Sequence, residues 1–294
     1  MRKILVLRGG ALGDFIVTLP ALALLRRRWP HARIELAGNA TAAALGLDCG
    51  LLAAVHSQHE ARWSALFSAA PLPAEFAVWL ADFDLVVNFW PDPAGELRGR
   101  FPLRSGQTYL WASAQPAFAP AAAHYCEPLR ALGLETRDYF FSLAFGRPES
   151  DAHLIAIHPG SGSPTKNWPI ENWIAICEWL KREFRAEFLI VAGEAESDKI
   201  GTLARFSPLV RNAPLSDLAR QFSHCRLFLG HDSGVSHLAA GCGVPCVLLF
   251  GPTEPAMWVP PAPHVRVLHR AVAMNSISVA DVQNEVAAVL TAAR

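Results

Sequence analysis

Residues 3–37, KILVLRGGALGDFIVTLPALALLRRRWPHARIELA, set the fold expectation. Lys3–Leu7 (KILVL) is a short apolar run of strand type, and Arg8–Asp14 (RGGALGD) is a glycine-rich loop. Phe15–Arg28 carries apolar residues at helical spacing. Pro30 ends that helix, and Arg33–Ala37 (RIELA) reads as a second strand. A buried strand followed by a helix and another strand is the repeating unit of a parallel sheet. Ala74–Ala81 reads as a helix and Leu85–Asn88 (LVVN) as a later strand of the same sheet. From Pro91 to Ala123 the periodicity weakens amid frequent Pro, Ala and Gly, so a long functional loop and a helical region both fit.

A second series starts at Leu154–His158 (LIAIH). It continues through a helix over Ile170–Phe184, a strand over Glu187–Ala192 (EFLIVA) and a helix near Ser197–Phe206. Leu215–Phe222 reads as a short helix, Arg226–Leu229 as a strand, Val235–Gly241 as a helix and Val244–Phe250 (VPCVLLF) as a central strand. Val279–Leu290 is a terminal amphipathic helix. Two α/β series with a break near 146–152 predict two doubly wound domains, 1–150 and 151–294. Ligands are expected at the carboxyl ends of the strands, in a cleft between the domains.

The 26 basic and 26 acidic side chains of the 294 residues cancel. Bulk phosphate neutralisation is therefore a poor account of this protein, and no nucleic-acid partner is expected. Arg26–Arg28 and the looser group Arg98, Arg100 and Arg104 read more readily as solvated positions than as an anion-binding surface. The six cysteines are scattered, with only Cys242 and Cys246 close together, so buried free thiols are expected and a zinc site is not. No apolar stretch suits a bilayer span and no secretion pattern opens the chain, which leads to the expectation of a cytoplasmic protein.

Three loops after apolar strands carry candidate chemistry. In the first, Gly9, Gly10 and Gly13 permit a tight turn. It contains neither Gly-Lys-Ser/Thr nor G-x-G-x-x-G, which speaks against a P-loop and a nicotinamide-dependent oxidoreductase. Asp14 stands at the helix start, where it is readable as a helix cap or as a base. The second loop, His158–Trp168 (HPGSGSPTKNW), offers Ser161, Gly162, Ser163 and Thr165 ahead of a cation, Lys166, suited to a diphosphate. In the third, Gly230–Ala240 (GHDSGVSHLAA), Asp232 precedes a helix start. The N–H groups of Ser233, Gly234 and Val235 would there face an anion. His237, four residues beyond Ser233, suits a phosphate contact or a buried structural role. Glu194 is a candidate for a ribose hydroxyl or a helix start, and Asp217 reads as a cap of its short helix more readily than as a nucleotide contact.

RGGALGDFIVTLPALALLRRRWP around Asp14, HPGSGSPTKNWP around Lys166 and GHDSGVSHLAAGCGVPCVLLFGPTEP resemble the signature blocks of glycosyltransferase family 9, the ADP-heptose:lipopolysaccharide heptosyltransferases. Ala273–Val279 (AMNSISV) and the helix after it are also similar. The resemblance implies a GT-B fold, two facing Rossmann-like domains, with an N-terminal acceptor domain, a C-terminal nucleotide-sugar domain and a last helix (279–292) returning to the first domain. It also implies inversion without an obligatory metal or other cofactor. Asp14 is then the general base, while Lys166 and the Ser233–Val235 backbone offset charge on departing ADP. Asp232 orients Lys166 or binds sugar hydroxyls, and His237 assists at the phosphate. The implied partners are an ADP-sugar and a glycan or glycolipid acceptor at the inner membrane surface. A nucleotide-sugar-binding protein without transfer, and a member using another donor and acceptor, are the alternatives.

Overall fold

The computed structural model describes residues 1–143, 145, 151, 153–193 and 198–292. They form two compact units, Met1–Phe141 and Ser142–Arg294.

The first unit contains β1 (Lys3–Arg8), β2 (Arg33–Gly38), β3 (Ala54–Ser57), β4 (Leu85–Asn88) and β5 (Thr108–Trp111). All pair in parallel in the order β3-β2-β1-β4-β5. Its helices are α1 (Leu12–Ile16), α2 (Leu19–Arg28), α3 (Ala40–Asp48), α4 (Ala74–Ala81), α5 (Glu96–Arg100) and α6 (Ala121–Cys126). Ile4–Leu7 are fully buried, as expected for a central strand covered on both faces. Leu5 and Leu7 join Trp63, Phe76, Phe83, Val86 and Trp90 in one core cluster. The single helix expected over Phe15–Arg28 is two helices. Pro20, at the second position of α2, has no N–H to donate to Ile16, so the helical ladder is interrupted across Val17 and Thr18.

The second unit contains β6 (Leu154–His158), β7 (Glu187–Ala192), β8 (Leu209–Arg211), β9 (Leu227–His231), β10 (Cys246–Phe250) and β11 (Val265–His269). Their order is β8-β7-β6-β9-β10-β11, again with every pairing parallel. The helices are α7 (Ile170–Phe184), α8 (Leu215–Ser223), α9 (Gly234–Gly241), α10 (Pro255–Trp258) and α11 (Val279–Ala292). The helix expected near Ser197–Phe206 is a 3-10 segment, Asp198–Arg205. Val282, Val286 and Leu290 of α11 bury their side chains with Ile176, Cys177 and Leu180 of α7 in this unit's own core.

In each sheet the first strand is central and the chain reverses its direction of growth beside it. The switch points lie between β1 and β4 and between β6 and β9, the Rossmann arrangement. The expected α/β class with two Rossmann-like units is therefore the observed one. Region 91–123 is partly ordered by Asp92, whose carboxylate accepts from the N–H groups of Leu97 (2.8 Å) and Arg98 (3.0 Å) and so caps α5. None of the six cysteines is in a disulfide, and burial raises the thiols of Cys126, Cys177 and Cys225 to about 12. Among the described residues no helix is long and apolar enough to cross a membrane.

Truncating the buried end of α11 tests its place in this core. Leu290→Ala is expected to destabilise the second unit by about 2–5 kcal/mol, read as a lowered urea midpoint. An unchanged midpoint would show that α11 contributes nothing to it.

Candidate active site

In the first unit the turn after β1 is built around Arg8, whose side chain is only 3% exposed. Its Nη2 donates to Asp14 Oδ1 (3.1 Å) and to the Tyr125 hydroxyl (2.9 Å). Its Nε donates to Thr18 Oγ1 (3.0 Å) and the Asp14 carbonyl (3.2 Å), and the guanidinium lies 4.3 Å from the Tyr125 ring centroid. A buried guanidinium is tolerated only when its donors are taken up in this way. Burial also raises the Tyr125 phenol above its ordinary range, which keeps it neutral and able to donate to the Ala114 carbonyl (2.8 Å).

Asp14 occupies the third position of α1 rather than the cap position. Its Oδ2 accepts from the N–H of Ala11 (2.8 Å), the reach-back half of a capping box. The helix-cap and functional readings are thus not exclusive, because the side chain remains 33% exposed. Of the three loop glycines, Gly10 has a left-handed backbone (φ 95°), and a Cβ there would lie 2.5 Å from Asp14 Oδ2. Gly9 lies beside Gln58 and Trp90, and Gly13 is inside α1.

In the second unit the loops after β6 and β9 meet. Lys166, at the end of a single 3-10 turn (Pro164–Lys166), donates from Nζ to Asp232 Oδ2 at 2.7 Å. Asp232 follows β9 directly and is nearly buried. Ser161 Oγ lies 2.8 Å from both the Ser163 carbonyl and Asn167 Oδ1, and Ser163 Oγ is 2.9 Å from Thr165 Oγ1, so these hydroxyls shape the loop. Gly162 is exposed, with open space where a Cβ would stand. Ser233 caps α9, its side chain accepting from the Ser236 N–H (3.3 Å). That leaves the N–H groups of Gly234 and Val235 with no acceptor inside the helix. His237 is buried within α9.

His231, at the end of β9, holds the Lys166 loop at both ends. Its Nε2 accepts from the Trp168 N–H (2.9 Å) and its Nδ1 faces the Gly160 carbonyl (3.3 Å). These partners require the neutral Nδ1–H tautomer. Burial lowers the imidazole to about 3, against a smaller upward effect of the Gly160 bond. Trp168 Nε1 in turn donates to the Ile277 carbonyl (2.9 Å), which gives the Ala273–Val279 block a structural role in supporting the same loop.

The structure therefore brings Ser161, Ser163, Thr165, Lys166 and Asp232 together beside the start of α9. Asp217 does not cap α8. It sits at the third helical position and accepts from Arg220 Nη1 (2.6 Å). Glu194 lies outside the described residues. The sequence reading gave no role to Arg8, Thr18, Tyr125 or His231. The one available signal was a polar residue ending an otherwise apolar strand, as Arg8 ends KILVLR and His231 ends LFLGH.

Residues 117–284, more than half of the chain, match the model for glycosyltransferase family 9 (heptosyltransferase). The chain belongs to this family. It is a heptosyltransferase-like glycosyltransferase. The lipopolysaccharide heptosyltransferase 1 of Pseudomonas aeruginosa is 25% identical over 287 residues, covering 86% of this chain and 79% of that protein. Family 9 structures agree in fold. The Veillonella parvula protein matches with TM-score 0.80 at 20% identity, over 99% of this chain and 97% of its own. The E. coli heptosyltransferase WaaC, solved with ADP, matches with TM-score 0.74 at 17% identity, over 98% and 99%. The more distant TibC of enterotoxigenic E. coli (TM-score 0.67, 13% identity, 100% of this chain and 77% of that chain) is described as dodecameric and iron-containing. Among the described residues of the present family member, no group of three or more His, Cys, Asp or Glu is placed to hold a metal ion.

Two expectations follow. Gly10→Ala forces a side chain onto the Asp14 carboxylate and into a left-handed backbone. It should cost about 1–3 kcal/mol in thermal unfolding and reduce transfer. Unchanged stability and activity would refute this account of the turn. For His231, the unfolded chain binds a proton at about 6.5 that the folded chain does not bind until about 3. Its contribution to stability is complete above about 6.5 and is lost as pH falls toward about 3. Urea unfolding of wild type between pH 4 and 6.5 should lose stability with falling pH more steeply than His231→Gln. Parallel curves would contradict the neutral buried imidazole.

Proposed function

We propose that this family 9 member transfers a heptose or related sugar from an ADP-sugar to a hydroxyl of a lipopolysaccharide-type or other glycan acceptor. Transfer inverts the anomeric carbon and uses no resident metal. The observation that carries the reading is the Lys166–Asp232 pair beside the α9 N-terminus at the β6/β9 switch point. Such a place, with a cation and two outward N–H groups, is suited to a diphosphate. WaaC, solved with ADP, supports the same nucleotide here.

In this reading the C-terminal unit binds the donor and the N-terminal unit the acceptor. Asp14, held by Arg8 and the Ala11 N–H, keeps enough exposure to accept the proton of the acceptor hydroxyl. The hydroxyl oxygen forms a bond to C1 as the bond from C1 to the phosphate oxygen breaks, and the electron pair leaves with ADP. Lys166 and the N–H groups of Gly234 and Val235 offset the charge that develops on the diphosphate, the work a metal ion does elsewhere. Asp232 holds Lys166 in position, and the hydroxyls of Ser161, Ser163 and Thr165 form the wall of the donor loop. The protein acts in the cytoplasm, at the inner face of the membrane where a glycolipid acceptor is presented.

Asp14→Asn keeps the shape of the turn but removes the base. It is expected to lower kcat by about 10²–10⁴-fold while ADP binding, measured by calorimetry, stays nearly intact. Full activity with a matched acceptor would remove Asp14 from the chemistry. Lys166→Ala is expected to weaken ADP-sugar binding and slow transfer together. Unchanged donor affinity and rate would exclude Lys166 from the diphosphate site.

A further inference from the structure

An open cavity of about 550 Å³ is lined wholly by residues of the first unit. Gly9, Gln58, Glu60, Trp63, Phe67 and Trp90 form most of its wall. These residues follow the carboxyl ends of β1, β3 and β4, so the cavity sits on the functional edge of the sheet. Its volume is within the range of small-molecule sites. Gly9 makes the link to the chemistry. It borders the cavity within 3.7 Å of the Trp90 ring, measured from where a Cβ would stand, while its neighbour Gly10 packs on the Asp14 carboxylate.

The lining is chemically selective. Trp63 and Trp90 meet nearly at right angles (5.3 Å between centroids, 88°) and are buried, whereas Phe67, tilted 32° to Trp90 at 6.4 Å, is 64% exposed. Gln58 supplies an amide at the Gly9 side. Among the described residues, no lysine or arginine lines the cavity. The carboxylate among its described lining residues, Glu60, is already engaged by the Ser57 N–H (2.8 Å) and by Arg62 (2.8 Å), and the histidine among them, His59, is exposed. Aromatic walls with an amide and no unpaired cation suit a ring with apolar C–H faces and a hydroxyl edge. An anionic group would find no cationic partner among these lining residues.

We infer that this cavity is the acceptor subsite and that the ring it takes is an uncharged sugar. Calling the occupant an acceptor rests on the transferase reading; ring binding is measured without donor and does not. The test is titration of the full chain at pH 8 with a panel of methyl hexosides and the matching methyl hexuronides. Tryptophan fluorescence and saturation-transfer NMR report binding. Hexosides should bind about tenfold or more tightly than their hexuronides, a difference of about 1.4 kcal/mol. Phe67→Ala, at an exposed position that does not endanger folding, should weaken hexoside binding and leave ADP affinity unchanged. Ser64→Lys, which adds a cation to the wall, should narrow the hexoside–hexuronide gap. Equal or tighter hexuronide binding, no binding by any hexoside, or a Phe67→Ala variant that binds as wild type would overturn the inference. Hexoside binding by a chain that transfers from no ADP-sugar would uphold the cavity's ligand and overturn the transferase reading instead.

Discussion

In a sheet made only of parallel strands, every strand must be followed by a crossover that carries the chain back over one face. The loops that leave the carboxyl ends therefore all gather on one edge. Where the strand order reverses, successive crossovers go to opposite faces and their loops part, leaving an opening with no need for a special motif. Both units obey this constraint. The Arg8–Asp14 turn follows β1 and Trp90 follows β4 at one reversal. The Lys166 loop follows β6 and Asp232 follows β9 at the other. The candidate chemistry of each unit is thus a consequence of strand order, with side chains chosen to suit the opening.

Arg8 shows how the carboxylate proposed as the base and a stable turn can be the same structure. A buried guanidinium without partners would be strongly destabilising, and removal of one partner of such a pair typically costs several kcal/mol. Here Asp14 supplies both a carboxylate oxygen and a carbonyl to it, Thr18 a hydroxyl, and Tyr125 a hydroxyl and a ring face. The break between α1 and α2 is part of this arrangement, since Thr18 lies in it and donates to the Asp14 carbonyl at 2.8 Å. Pro20 thereby links sequence to site: by ending the ladder it leaves room for the knot that orients Asp14.

The central strands were legible because burial on both faces makes them continuous apolar runs. Leu85–Asn88, Leu154–His158 and Glu187–Ala192 have the bounds read from the sequence, as does the helix Ile170–Phe184. The strands that escaped notice, β3 (AVHS), β5 (TYLW), β8 (LVR) and β11 (VRVLH), lie at the sheet edges, where partial exposure removes that signal. Lys166 and Asp232 stood out because glycine and hydroxyl residues surrounding a cation, and an acid before a helix start, have local meaning. Their 2.7 Å bond across 66 residues does not. The position of His231 at the end of an apolar strand is visible in the sequence, but its role is not, since that depends on the Gly160 carbonyl and the Trp168 N–H being brought to opposite sides of one ring.

In the proposed reading, the Lys166–Asp232 pair also constrains how a diphosphate would be accommodated. Asp232 is nearly buried, so without Lys166 it would be an anion with little solvent, and the pairing offsets that cost. It also cancels most of the charge that the lysine offers an incoming ligand. Attraction for a diphosphate must then come from the α9 N-terminus together with whatever Lys166 donates beyond its bond to Asp232. An ammonium has three donors, and one is committed here, so the lysine can bridge carboxylate and phosphate without leaving either. In the proposed reaction this division would favour the leaving group over the intact donor: as the bond to C1 breaks, negative charge would grow on an oxygen beside donors already fixed in place. Pre-oriented donors gain most from that growth because they need no rearrangement when it occurs. The His231 clip, which holds both ends of the lysine loop from within the core, is the structural means by which that orientation is kept.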